Sequence, residues 1–184
     1  GTGQEGYRNI SYGGLNDGYA IAVDHTSGPL SHVHNINTSE GFYTIQDAIY
    51  DSNTKSGNTI TVDPGTYTEN VKVNKSLTIR STLGNPADTI VQAASINDHV
   101  FNVTANYVNI SGLTVKNATA PGKAGIYLSG GTGHCNISNN NISNNYHGIS
   151  LNNSSNNTVT TNTVLSNIWC GIYLNISSNN LIYN

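Results

Sequence analysis

Three histidines beside an aspartate, two cysteines, and carboxylates that stop at Asp98 are the residues of this chain with chemistry to offer. His25, His32 and His34, with Asp24 next to the first, form the one cluster with metal-ligand character. If residues 31–35 make a strand, His32 and His34 point to the same side, and His25 or Asp24 would complete a zinc or copper site. Their spacing matches no recognised metal motif, and loop histidines are common on polar surfaces, so no cofactor is expected. His99, His134 and His147 fall singly in turn-like stretches.

Beyond Asp98 the chain holds no Asp or Glu, and beyond Arg80 no Arg. Glycosidase-type acid–base chemistry needs paired carboxylates, and calcium-assisted chemistry needs them as ligands. Glu69 follows a turn and is expected to be solvated or paired with Lys72. Charged residues make up 9% of the 184 residues and the net charge is −3. A basic nucleic-acid footprint is therefore missing, and no apolar run approaches the ~18 residues of a membrane span. There is no methionine, so Gly1 is not an initiator residue; a removed export signal or a trimmed chain would each account for that. Asparagine replaces the missing charge, with sixteen of thirty copies between Asn136 and Asn184.

The elements that must position these residues follow from a repeat. Gly125-Ile-Tyr-Leu, Gly148-Ile-Ser-Leu and Gly171-Ile-Tyr-Leu begin 23 residues apart. Between them recur the pairs Ile137 with Ile142 and Val159 with Val164, and Ile110 with Val115 repeats the spacing one coil earlier. Strand-sized apolar triplets at a period near 22, separated by Asn, Ser, Gly and Thr, predict an all-β, single-stranded, right-handed parallel β-helix. Asn tolerates left-handed backbone angles and bonds its own backbone, which suits stacked turns. Asn140 and Asn162 occupy matching places where amides would stack. Ile126, Leu128, Ile137, Ile142, Ile149, Leu151, Val159, Val164, Ile172 and Leu174 are expected to line the interior. Upstream, Ile45, Ala48 and Ile49 with Thr44 and Asp47 at capping spacing predict a short N-terminal capping α-helix over about 44–52. The coils run over about 59–184, giving a β-helix domain over 41–184. Residues 1–40 fit no coil and are read as an irregular leader or assembly segment.

The string Tyr43-Thr-Ile-Gln-Asp-Ala-Ile49, then Thr59-Ile-Thr-Val-Asp-Pro-Gly-Thr-Tyr-Thr-Glu-Asn-Val71 and Lys75-Ser-Leu-Thr-Ile79, resembles the opening of pectin-lyase-like β-helix proteins. It is closest to the NosD-like, PbH1-repeat cell-surface proteins of methanogenic archaea. The resemblance implies the fold over residues 42–184 and an envelope location. Its members include esterases, lyases, accessory proteins and envelope proteins with no known reaction. Pectin methylesterases share Gly65 to Glu69, but their catalytic aspartates on later coils have no counterpart here.

The coil geometry bears on the cysteines. Cys135 and Cys170 are 35 residues apart, about one and a half coils, which places them on opposite sides of the cross-section, ~15–20 Å apart. An intrachain disulfide is excluded at that distance. Each is expected in an accessible turn, so intermolecular disulfides through Cys135 and Cys170 are expected, with two half-buried free thiols as the alternative. Of the Asn-x-Ser/Thr sequons, Asn37, Asn74 and Asn117 are the expected glycosylation sites. Tyr127 and Tyr173 occupy matching places with Ser150 between them, either as surface strand residues or as a sugar-stacking platform.

A chain ending mid-coil at Asn184 leaves a strand edge, so either it is cut from a longer chain or another copy covers that edge. Together these features predict an extracellular, non-catalytic structural protein of the cell envelope. It would self-assemble into a surface layer or sheath by end-to-end contacts, with itself as partner and cell-surface polysaccharide as a second. The alternatives are a carbohydrate-binding or carbohydrate-processing fragment, acting as an esterase, lyase or hydrolase if an enzyme, and a metal-handling accessory protein.

Overall fold

Short Val-, Ile- and Thr-rich runs bury one side by lying against the same runs of the next coil. A computed structural model describes residues 31–183 and shows this arrangement as about five turns of a parallel β-solenoid with almost no helix. Thr59–Val62, Thr78–Ser81, Asn109–Ser111, Asn136–Ser138, Thr158–Thr160 and Leu181–Tyr183 stack as the first face. The second face holds Gly65–Thr68, Thr89–Gln92, Thr114–Lys116, Asn141–Ser143 and Thr163–Leu165. Val71–Val73, Phe101–Val103, Ala124–Leu128, His147–Asn152 and Cys170–Asn175 form the third. Crossovers between parallel strands of one sheet are right-handed almost without exception.

The register makes columns of like residues. Ile60, Ile79, Ile110, Ile137, Val159 and Ile182 run down the first face. Tyr67, Val91, Val115, Ile142 and Val164 run down the second. On the third, Phe101, Ile126, Ile149 and Ile172 lie beside Val103, Leu128, Leu151 and Leu174. The expected core positions from Ile126 to Val159 are at most 2% exposed. Val164 and Ile172 are only partly buried, and Leu174 is 42% exposed. These three lie on the outermost described coil, which has a neighbour on one side alone. The period near 22 belongs to the later coils; earlier ones carry extra loops at 82–88, 93–100 and 117–123.

The repeated glycine of the Gly-Ile-x-Leu strings is required by close approach. A Cβ on Gly125 would sit 3.0 Å from the Gly148 carbonyl oxygen and 2.8 Å from Asn145 Nδ2. Only a hydrogen there lets successive coils approach at strand spacing.

Asparagine columns fill the corners. Asn140 Oδ1 accepts from Leu113 N, and Asn162 Oδ1 accepts from Asn140 N. The amide nitrogens donate back to Ile110 O and Ile137 O. The same exchange joins Ala118, Asn145 and Asn167 at a second corner, and Cys135, Asn157 and Asn180 at a third. The residue before most of these amides is left-handed, as at Asn139, Asn144, Asn156 and Asn179. Each of these asparagines thus directs its amide inward and pairs backbone groups of the adjoining coil.

The boundary expected at residue 40 moves. Val33–Asn35 and Glu40–Phe42 form a hairpin, and Val33–Asn35 pairs antiparallel with Thr59–Val62. Val33 and Asn35 are fully buried, and the Asn35 amide donates to Thr54 and Asn58. An antiparallel strand of three residues has no periodicity to reveal it. The part of the expected leader before residue 31 lies outside the described residues.

A short helix, Ile45–Tyr50, follows the hairpin, with Thr44 Oγ1 accepting from Asp47 N. Glu69 is neither solvated nor paired with Lys72: its two carboxylate oxygens accept from Ile45 N and Gln46 N at 3.0 Å each. Lys75 Nζ holds the other end, donating to the carbonyls of Ile49, Asp51 and Thr54. An anion meets the N–H end and a cation the C=O end, as the helix dipole favours. The Gln46 side chain bonds both Lys72 N and Lys72 O, occupying the edge of Val71–Val73. Ile45, Ala48 and Ile49 join the core.

Replacing Asn145 by Ala strands the Ala118 N–H and the Val115 carbonyl in a fully buried corner. A loss of about 3 kcal/mol is expected, seen as a lowered urea midpoint with an unchanged slope; a shift under ~0.5 kcal/mol would mean that the column is not what satisfies the corner.

Candidate functional site

The register places outward residues of the third face in columns just as it does inward ones. Tyr127, Ser150 and Tyr173 occupy one column, and Ala124, His147 and Cys170 another. Two rings are thus separated by a serine, and the missing ring leaves a groove of about 340 Å³. His99, Tyr127, Tyr146, His147, Trp169 and Tyr173 supply its rings. Ser150 lines it while only 4% exposed.

The rings support one another. His99 stacks on Tyr127 with centroids 4.1 Å apart and planes at 7°. His147 stacks on Tyr173 at 4.9 Å and 14°, and meets Trp169 edge-on at 5.0 Å. Trp169 also stacks on Tyr146 at 5.9 Å yet is 60% exposed. Asn175 Nδ2 donates to Asn152 Oδ1, and Asn152 Nδ2 donates to Tyr127 Oη, which fixes the phenol as an acceptor toward the lip.

Both histidines are held neutral. His99 Nδ1 accepts from Ala124 N at 3.0 Å, which puts the ring proton on Nε2. Burial, with the Lys123 charge beside it, lowers His99 from 6.5 to about 4. Burial also lowers His147, whose Nδ1 lies 3.1 Å from Cys170 Sγ. Among the described residues no carboxylate, lysine or arginine lines the groove. Uncharged rings, a hydroxyl and neutral N–H donors suit binding by stacking and hydrogen bonding.

The histidines expected to lie singly therefore divide. His99 and His147 converge on one face, while His134 stacks separately on Tyr107 at 5.0 Å. The signal was present in the repeat: Tyr146 with Trp169, His147 with Cys170, and Ser150 with Tyr173 are each one 23-residue step apart. His99 has no such partner in sequence and is found only through the fold.

The N-terminal cluster comes apart where it is described. His34 Nε2 is 3.0 Å from Asp63 Oδ2 in the hairpin, while exposed His32 lines a separate hollow with Tyr43, Pro64 and Tyr67. Partial burial raises the Asp63 carboxyl, but bonds from Thr82 and His34 outweigh this and leave it below its ordinary value. Among the described residues no three His, Cys, Asp or Glu side chains gather as a metal site. Asp24 and His25 lie outside them.

Cys135 is not in an accessible turn. It occupies the inward column continued by Asn157 and Asn180, is 1% exposed, and turns Sγ toward the carbonyls of Ala105 and Gly133. A bridge through Cys135 to another molecule would have to open that corner. Cys170 is half-buried on the third face, and both thiols are free. Burial raises both thiols above their ordinary value. Of the expected sequons, Asn37 is exposed but its Oδ1 accepts from Thr59 N, Asn74 is exposed, and Asn117 is half-buried with φ 76°.

Comparison with known proteins now has a geometry to rest on. Residues 98–184 match the family described as "Right handed beta helix region". A "Cell surface glycoprotein" of Methanothermus fervidus is 44% identical over 114 residues, covering 62% of this chain and 18% of that protein. The chain thus spans less than a fifth of the length of that relative. No solved structure matches. The family match, the relative and the solenoid together fit a right-handed β-helix cell-surface protein.

Two measurements follow. The unfolded chain takes up a proton at His99 near pH 6.5 that the folded chain refuses until about 4. The stability this contributes is complete above pH 6.5 and is lost as pH falls toward 4, on the order of 2–3 kcal/mol. Denaturation across that range should show the fall, and His99→Asn, whose Oδ1 can replace Nδ1 as acceptor, should flatten it. With a small maleimide on the folded protein, Cys170 should be modified and Cys135 only after unfolding; equal labelling of both would contradict the buried corner.

Proposed function

We propose that this chain is a non-catalytic structural module of an envelope protein, exported and working at the cell surface, whose coils assemble by stacking into a surface layer or sheath. The observation that carries this reading is the coil register, in which each coil repeats the inward columns of the one beneath it. In preceding coils Leu128 and Leu151 are fully buried, while Leu174 in the same column is 42% exposed, and Leu181 and Ile182 are 57% and 39% exposed. Such an edge offers unpaired backbone groups and an apolar surface of the same register as the coil beneath. Another coil is its natural cover, whether contributed by the same polypeptide or by a second copy.

At the opposite end, the helix Ile45–Tyr50 serves as the cap. Glu69, Lys75 and Gln46 hold it across the first coil, and Gln46 blocks the edge at Lys72. The joint is then the open strand edge at the other end. Covalent locking, if it accompanies assembly, falls to Cys170, since Cys135 is enclosed.

Support for the surface role comes from the glycoprotein relative, whose much greater length suits a protein built from many such coils. Support for a non-catalytic role comes from the coils themselves, which hold no carboxylate after Asp98. Glu69, the residue shared with esterases, is occupied by two backbone N–H groups and raised by burial, which suits an anchor rather than a reacting group.

Sedimentation over a wide concentration range tests the assembly: reversible self-association is expected, abolished by Ile182→Lys at the open edge with the melting transition kept. A strictly monomeric protein would refute it. Incubation with pectin, polygalacturonate and other uronic-acid polymers should release no methanol and no unsaturated or reducing ends, and turnover abolished by Glu69→Gln would refute the non-catalytic reading.

A further inference from the structure

The groove on the third face is unnecessary to a stacking module. First-face outward positions such as Asn136, Ser138, Thr158 and Thr160 are small and polar, whereas the third face gathers four large rings and two neutral histidines. Nothing in coil stacking asks an indole to stand 60% exposed among Tyr146, His147 and Tyr173. The Ser150 hydroxyl makes no hydrogen bond to any described residue and lines the groove, where a ligand can reach it.

From this we propose that the groove binds a neutral pyranose unit of a glycan, with Trp169 and Tyr173 stacking on the sugar's C–H face and Ser150 bonding its hydroxyls. The polar groups are arranged for that class. His99 keeps its proton on Nε2, because Nδ1 is committed to Ala124 N. Tyr127 Oη accepts from Asn152, which leaves its O–H free to donate. Hydroxyl-rich ligands accept such donors, and aromatic rings pack against their C–H faces. A lining without Lys or Arg gives an acidic sugar no counter-charge, and one without Asp or Glu gives a cationic sugar none. The volume of about 340 Å³ lies at the lower end of small-ligand pockets, suiting a short stretch of sugar rather than an extended chain. Trp169 and Tyr173 belong to the outermost coil, but the groove uses its outward face and stacking its strand edge, so Ser150→Tyr and Ile182→Lys test the two roles separately.

Trp169 is the sole tryptophan of the chain, which gives a direct readout. Its fluorescence is titrated with cellotriose, maltotriose and chitotriose as wall-type glycans, with a mannose-rich glycopeptide as a protein-linked glycan, and with trigalacturonate as the acidic control. At least one neutral ligand should give a saturable change below about 50 mM, and the arm that does so identifies the source. Tyr173→Ala should weaken it at least about tenfold. Ser150→Tyr, which places in the gap the ring that both neighbouring coils already carry, should abolish binding with an unchanged melting transition. Absence of a saturable change with every neutral ligand, preference for trigalacturonate, or full binding by Ser150→Tyr would each overturn the proposal.

Discussion

A solenoid turn must dispose of the backbone N–H and C=O groups that it turns inward, and in the later coils of this chain asparagine amides do so at the corners. The amide is suited because it carries both an acceptor and a donor on one short, uncharged side chain. Asn145 takes the Ala118 N–H and returns an N–H to Val115 O, and Asn167 repeats the exchange one coil on. A carboxylate could only accept, and would bring a charge into a fully buried corner. The same constraint accounts for the composition. Corners rich in asparagine leave few places where charge is useful, and apolar columns pack between them.

The carbonyl and amide traffic also explains what the sequence does and does not disclose. The columns Ile126–Ile149–Ile172 and Leu128–Leu151–Leu174 are legible because their spacing is the coil spacing itself. Asn140 and Asn162 are legible for the same reason. Cys135 is misleading because it holds, in one coil, a place that asparagine holds in the next two, and no local pattern says that a cysteine after His134 points inward. Glu69 and Lys75 are equally opaque: nothing near them in sequence shows that they grip opposite ends of a helix more than twenty residues upstream. The hairpin at 33–42 escapes because antiparallel pairing with Thr59–Val62 leaves no period, and its two strands are only three residues long. For the groove, half was visible as residues one repeat apart, while His99 enters from a loop whose length breaks the repeat.

The division of labour among the faces is physical as well as functional. Inward positions on all three are committed to the core and corners to their amides, so variation is confined to outward columns and to loops. On the third face the outward column alternates ring, serine, ring, and the neighbouring column places His147 against Cys170. Chemistry can be added to such a scaffold without disturbing it, because an outward substitution changes no hydrogen bond of the ladder. The fold and the chemistry of the outward columns are therefore separable in this molecule.

The amide columns also act as a ruler. A slip of one residue along any strand would turn each corner asparagine outward and leave the backbone groups of two coils unpaired at once. Polypeptides built this way tolerate gain or loss of length in two forms: a whole coil, which keeps every column in phase, or a loop at a corner that no column occupies. The extra segments at 82–88, 93–100 and 117–123 all lie toward the helix-bearing end, and the strict 22- to 23-residue steps begin where the amide columns do. Lineages of such proteins should accordingly differ in coil number by integers, and their irregular insertions should crowd toward the coils whose corners are filled by aliphatic residues.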